Sequence, residues 1–357
     1  MKFNKLVSLS LPVLLILAGC SKSAASSSSV ASSSSLDSSS SLAPSSSSSS
    51  SSAKEAIQID AYGSAVSDTA AVMIAGKSEG TNVDYVVSSQ PVVFAAMAKN
   101  KNLTIKADIA NAFSEKFGTN GFPQAGLFIK KTLSDDTTKK GAIESFLKSY
   151  DTDVADLIAG GTATAALMDT YGDATTQQGR FGTNSTVLKA VQKTNGLSFL
   201  SKEKNPDVAG FAKFKDPLKI DVQAANLSSY YSESLPEATT AMDSLSFSVA
   251  SPMGAPSVAF ARYASDTENY VTEAPTAVSA EFASGTKDFI VFDSVNGLAL
   301  SKKNSGNYLL VRMVTFGNLY LVATGNDTDG TFSNDDFIYG FGENKVPDLA
   351  FKAVYGA

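Results

Sequence analysis

Leu245 to Tyr263, LSFSVASPMGAPSVAFARY, is the stretch from which the fold class follows. Phe247 and Val249 alternate with small polar residues, the period-2 pattern of a strand. Ser251 to Pro256 reads as a tight loop, and a helix is expected to open at Pro256 with Ser257, Val258 and Phe260 in its first turns. Proline suits the first helical position, and Gly254 just before it permits the sharp turn from strand to helix. The amides of such a loop and helix start lack internal partners, so they can receive a polar or anionic ligand group. In open α/β sheets ligands bind in this place, outside the carboxyl ends of the strands.

Working outward, the same unit recurs. Ile57 to Tyr62 alternates as a strand before a loop with Gly63 and Ser64, and Ser67 and Asp68 suit the cap of a helix over Thr69 to Ala75. Val83 to Val87 reads as a buried strand, and Ser88, Ser89, Gln90 and Pro91 form a corner into a helix from Val92 to Ala98. Leu103 to Ile109 is a further strand; a loop carrying Phe122, Pro123 and Gln124 precedes one over Ala125 to Ile129. Phe289 to Phe292 ends in Asp293, Ser294, Val295, Asn296 and Gly297, with a helix behind it. Leu309 to Thr315 and Leu319 to Ala323 flank Phe316, Gly317 and Asn318; Phe337 to Phe341 is a strand before a last helix opened by Asn344 and Pro347. Thr137 to Asp156 and Val187 to Lys193 have amphipathic helical periodicity, and Ile143, Phe146, Leu147 and Tyr150 share a face that reads as core. Repeated strand–loop–helix corners predict an α/β protein with a mainly parallel sheet, and polar corners without a catalytic set predict binding.

The first 53 residues differ in kind. Lys2 and Lys5, the apolar run Leu6 to Leu17 and the small residues before Cys20 have the layout of a secretory signal, too short to span a bilayer. Leu17-Ala-Gly-Cys20 resembles the lipobox of bacterial lipoproteins, which implies signal residues 1–20 and a lipid-modified Cys20; an uncleaved anchor or a simple secreted form is the alternative. Residues 21–53 are almost wholly Ser and Ala and bury too little apolar surface to fold. Such a tether has a root-mean-square reach of roughly 30 Å.

Composition excludes several functions. Cys20 is the only cysteine, so no internal disulfide can form and no other thiol is available. There is no His, which rules out His triads and His metal sites. A formal net charge of -6 without a basic, aromatic-interleaved cluster argues against a nucleic-acid partner. The acidic pairs Asp135 with Asp136 and Asp335 with Asp336 lie in turn-like segments and read as solvated. Gly325 to Asp336, GNDTDGTFSNDD, places Asp327, Asp329 and Gly330 near the spacing of a calcium loop, but Gly325 stands at the first ligand position; an ordinary turn is the simpler reading, and no metal is expected.

Six segments together carry a family resemblance: Phe247 to Tyr263, Phe292 to Lys302, Thr315 to Ala323, Phe341 to Phe351, Asp84 to Val93 and Phe122 to Lys131. They resemble the substrate-binding proteins of ABC importers, nearest the nitrate, sulfonate, taurine and thiamine-precursor group. The resemblance implies a two-lobed periplasmic-binding-protein-like fold of type II, with two crossover strands joining the lobes, a ligand cleft between them and closure by hinge motion. The lack of His sets the chain apart from the histidine-consuming pyrimidine synthases of that superfamily. The segments stand out of family order, which implies a circular permutation: the family's C-terminal half at 54–231, a joining segment 232–244, and its N-terminal half at 245–357. It requires the strand near Ile57 to neighbour the helix ending near Tyr355. A truncated tandem is the alternative.

By the same resemblance the binding loops fall on Met253, Gly254, Ala255, Ser257, Ser294, Asn296, Phe316, Asn318, Asn344, Ser64, Ser89, Gln90 and Phe122. Small residues would let a ligand approach backbone amides, and Phe122 and Phe316 could stack on a planar one. With few charges in these loops the ligand is expected to be neutral or weakly anionic, with Arg262 or Arg312 as the reserve for an anion. The implied protein is a monomeric, lipid-anchored receptor on the extracytoplasmic face of the cell membrane, not an enzyme and without a cofactor, handing a small molecule to an ABC permease. A surface lipoprotein with an adhesive or structural role is the alternative.

Overall fold

The structure, a computed structural model, describes residues 61–63, 66–159, 197, 200, 205–223, 226–231, 245–303, 307–326 and 338–356. The expected helix at Val187 to Lys193 and the acidic residues of the candidate calcium loop lie outside the described residues. Residues 52–357 form one compact unit.

In its first half the chain runs β1 (Ala61–Gly63), α1 (Val66–Ala75), β2 (Lys77–Ser78), β3 (Thr81–Asn82), β4 (Tyr85–Ser88), α2 (Val92–Lys99), β5 (Thr104–Asp108), α3 (Ile109–Phe117), β6 (Pro123–Lys130), α4 (Lys131–Ser134) and α5 (Lys140–Ile158). The short helices α6 (Val208–Ala212) and α7 (Lys215–Leu218) follow. Then come β7 (Val249–Pro252), α8 (Ala255–Val258), β8 (Tyr270–Glu273), α9 (Pro275–Ser284), β9 (Phe289–Asp293), α10 (Ser294–Lys303), β10 (Tyr308–Phe316), β11 (Tyr320–Ala323), β12 (Ile338–Phe341) and α11 (Val346–Tyr355).

Two five-stranded mixed sheets result, in the orders β1-β12-β4-β11-β5 and β8-β7-β9-β6-β10, with β2 and β3 as a separate antiparallel pair. The expectation of a mainly parallel sheet is therefore corrected. β1, β12 and β4 are parallel in the first sheet, and β8, β7 and β9 in the second. β11 runs antiparallel to both β4 and β5, and β6 to both β9 and β10. The cause is how these two strands arrive. β11 leaves the end of β10 in the other sheet through Gly317 to Leu319, and β6 comes from α3 through Gly118 to Phe122, so each enters its new sheet from the carboxyl edge and runs back down it. The two crossings touch: Gly317 N–H donates to the Phe122 carbonyl at 2.6 Å, and a Cβ on Gly317 would lie 3.1 Å from the Gly121 Cα. With φ at +65° and +88°, Gly317 and Gly121 occupy backbone that side chains rarely adopt.

Several boundaries also move. β7 extends through Ser251 and Pro252, which pair with Thr272 and Glu273, and Pro252 closes the strand because it has no N–H to continue the ladder. The turn is only Met253 and Gly254, with Gly254 at φ 99°, and α8 is four residues followed by a turn and a single 3-10 turn at Ala261–Tyr263. Pro123 and Gln124 belong to β6 rather than to a loop. α1 starts at Val66, which puts Ser67 and Asp68 in its first turn.

The amphipathic face of α5 packs as expected: Ile143, Phe146, Leu147 and Tyr150 are buried against Phe247, Phe289 and Tyr263 on one side of the second sheet. The Phe146 and Phe289 rings meet at 4.6 Å, and burying each such ring contributes about 2 kcal/mol. A second cluster runs from Phe113 and Leu321 through Phe122, Phe214 and Phe316 to Phe128 and Ile290, so apolar packing joins the two sheets. α1 and α2 cover the other face of the first sheet through Val72, Met73, Val92 and Val93.

Candidate functional site

The carboxyl ends of the parallel strands collect the residues singled out above. In the second sheet β7, β8 and β9 end at Pro252, Glu273 and Asp293. Register brings the start of β6 and the end of β10 to that edge, since Ala125 pairs with Asp293 and Phe316 with Pro123. Met253, Gly254, Ala255, Ser257, Ser294, Asn296, Phe122 and Phe316 therefore sit at or just beyond one edge. In the first sheet Ser88, Asp108 and Phe341 end β4, β5 and β12, and Tyr320 at the start of β11 pairs with both Ser88 and Asp108. Ser89, Gln90, Asn318 and Asn344 follow from that edge, and Phe316 to Leu319 connects the two. Ser64 lies outside the described residues.

Most of these side chains already have internal roles. Asn318, 2% exposed, holds the Gln90 peptide from both sides: its Oδ1 accepts the Gln90 N–H at 2.9 Å and its Nδ2 donates to the Gln90 carbonyl at 2.8 Å. This pins the chain at the end of β4, where Ser89 is also buried and the Gln90–Pro91 peptide is cis. Ser257 Oγ donates to the Gly254 carbonyl at 2.7 Å and closes the turn after β7. Ser294 Oγ donates to the Pro123 carbonyl at 3.0 Å, fastening the start of α10 to β6. The Phe122 ring is fully buried 5.1 Å from Phe113, and Phe316 meets Phe214 edge-on at 5.8 Å, so both rings serve the core. Gly254 and Ala255 are buried in the corner, and Met253 stands half-buried beside them, its N–H on the Glu273 carbonyl. Asn344 is exposed at φ 57°, and its N–H donates to Asp348 Oδ2 at 2.8 Å.

The two arginines held in reserve for an anion are engaged elsewhere. Arg262 makes a bidentate pair with the buried Asp153, with Nε 2.7 Å from Oδ1 and 2.8 Å from Oδ2. Arg312, itself 2% exposed, pairs with Asp151 at 3.1 Å and donates to the Tyr230 carbonyl at 2.6 Å. Both acids lie on α5.

Sequence reasoning missed Asp293. Its Oδ1 accepts from Asn296 N and Nδ2, each at 2.9 Å, and its Oδ2 accepts from Val346 N at 3.0 Å. Burial pushes its carboxyl above the usual range, against the pull of those donors and the charge of Lys345. Burial likewise raises Asp108, and burial together with nearby Glu281 raises Glu273. All three are the last residues of strands, and in the sequence Asp293 is followed three positions later by the amide it caps, the one signal that could have found it. The carboxyl edges thus carry acids, and an anionic ligand has no free arginine among Arg262 and Arg312 to meet it.

Among the described residues no group of three or more His, Cys, Asp or Glu side chains could hold a metal ion, and no helix is long and apolar enough to cross a membrane. Of the acidic loop, Asn326 is described, and its Nδ2 donates to the carbonyls of Gly76 and Val83. Comparison with protein-family models, curated proteins and solved structures finds no match to this chain.

Proposed function

We propose that this chain is the solute receptor of an ABC importer: a two-lobed binding protein of type II, circularly permuted, tethered by a lipid on Cys20 and a Ser-rich linker to the extracytoplasmic face of the cell membrane. One observation carries the reading. When the strands are taken from β7 onward, the second sheet holds its own four strands in the order second, first, third, fourth, with β6 inserted from the other half before the fourth. Continuing through β12 and then to β1, β4 and β5, the first sheet has the same order, with β11 inserted at the same place. Read from β1, the two halves have unlike orders; read from β7, they are copies. Two like α/β lobes exchanging a strand at two adjacent crossings is the architecture that the resemblance implies; β1 beside β12 is compatible with a cut between α11 and β1, while the strand expected near Ile57 lies outside the described residues. The ligand would lie between the two carboxyl edges.

The test is calorimetry and thermal shift of residues 54–357 against thiamine-pathway pyrimidines, riboflavin, taurine, alkanesulfonates, nitrate and bicarbonate. A true ligand at a hundredfold excess over its dissociation constant stabilises the fold by about 2.7 kcal/mol. Met253→Lys, at the half-buried corner after β7, is expected to abolish that shift. If no compound binds and protein from its host carries none by native mass spectrometry, the receptor reading falls and the adhesive one replaces it. An unmodified Cys20 at the mature N-terminus would remove the lipid anchor.

A further inference from the structure

Asp293 links two helices that belong to different sheets. α10 follows β9 and packs on β9, β6 and β10. α11 follows β12 and packs chiefly on α3, α7 and β12, and also touches β6 of the second sheet. The carboxylate receives the Asn296 amide of α10 on one oxygen and the Val346 amide of α11 on the other.

The start of α11 shows why the second bond matters. Its N-cap residue, Lys345, makes no side-chain cap, Pro347 brings no N–H, and Asp348 in the same turn receives the Asn344 N–H, so Val346 carries the helical amide left for an acceptor from elsewhere. That acceptor comes from the other sheet. Both helix N-termini direct backbone donors at the same carboxyl group. The amides at the two helix starts, with the Asn296 side chain and the charge of Lys345, are what offset its burial.

We propose that Asp293 is a clasp between the two halves: without ligand it holds the carboxyl edges together by capping α11 from across the interface, and the cleft opens by releasing Val346. The proposal rests on the two-lobed reading, but its test needs no ligand, so failure of the ligand screen and failure of the clasp are separate results.

The experiment is amide hydrogen exchange on the whole chain, resolved at residues 294–298 and 344–349, together with small-angle scattering. Asp293→Ala is expected to speed exchange at both helix starts by about tenfold or more and to increase the radius of gyration, while β7 and α5 keep their protection. Asn296→Ala, which leaves the bond to Val346 in place, is expected to leave 344–349 unchanged. If only 294–298 responds to Asp293→Ala, the carboxylate is a cap of α10 alone and the clasp is refuted; an unchanged radius refutes it equally. Should Asp293→Ala fail to fold, the unaltered chain decides: the Asn296 and Val346 amides must exchange through one shared opening faster than the β9 amides. Exchange of the two only with global unfolding overturns the proposal.

Discussion

Asn318 and Asn344 look alike in the sequence, each a polar residue in a corner after a strand, yet the fold gives them opposite weight. Asn318 exchanges two hydrogen bonds with the Gln90 backbone and is almost wholly enclosed. Asn318→Ala leaves a buried N–H and a buried carbonyl without those partners, so it should lower stability by about 2 kcal/mol or more, read as a shift of the denaturation midpoint. Asn344 is exposed in left-handed backbone, and its side chain is not what caps α11. Asn344→Gly should therefore change stability by no more than a few tenths of a kcal/mol, since Gly adopts that conformation freely. Equal losses in the two variants would refute this account. The corners themselves were legible because small polar residues, Gly and Pro follow each apolar run. What each side chain does there was not, because the partner of Asn318 lies 228 positions away.

Elements were legible where one face is apolar. The stripe Ile143, Phe146, Leu147 and Tyr150 predicts both the existence of α5 and the side it buries, and the strands at 289–293 and 308–316 follow from the apolar runs Phe289 to Phe292 and Leu309 to Val314, the second broken only by Arg312. The direction of β6 and β11 was not legible, because an antiparallel insert reads locally like any buried strand and its sense depends on which sheet the chain left. Nor did periodicity reveal that α5 is also an electrostatic brace. Asp151 and Asp153, two positions apart on it, reach Arg312 in β10 and Arg262 beyond α8. Removing one partner of a buried pair strands the other charge, and here the stranded group would be the nearly inaccessible Arg312. Asp151→Ala should cost about 3 kcal/mol in chemical denaturation. The double variant Asp151→Ala with Arg312→Met should recover most of that loss, because the cost comes from the unpaired charge and not from the pair's absence. A double variant as unstable as the single one would show that packing of the arginine stem matters more.

At the scale of the molecule, the decisive property is the order in which the chain visits its two sheets, and this can be tested by changing that order. The equivalence of the two halves appears only when β1 is read as the successor of α11. If the present ends are a cut in a continuous β12–α11–β1 unit, joining them should close a short connection and no strand need move. Nine residues, 356–357 and 54–60, would then link Tyr355 to Ala61, a little longer than the 2–6 residues usual between a helix and the next strand. A chain running from Leu245 to Ala357 and on from Lys54 to Tyr231 is therefore expected to fold with the same circular dichroism and the same protected amides in β7, β9 and β4. It omits 232–244, since the proposed family order needs no joining segment there. Loss of cooperative unfolding in that chain would mean that β1 and β12 are neighbours without being sequential partners, and the tandem-derived alternative would then account better for the two matching sheets. Retention of the fold would support the proposed order, in which the segment before Ala61 enters the domain between α11 and β1 and not at the end of a sheet's strand sequence.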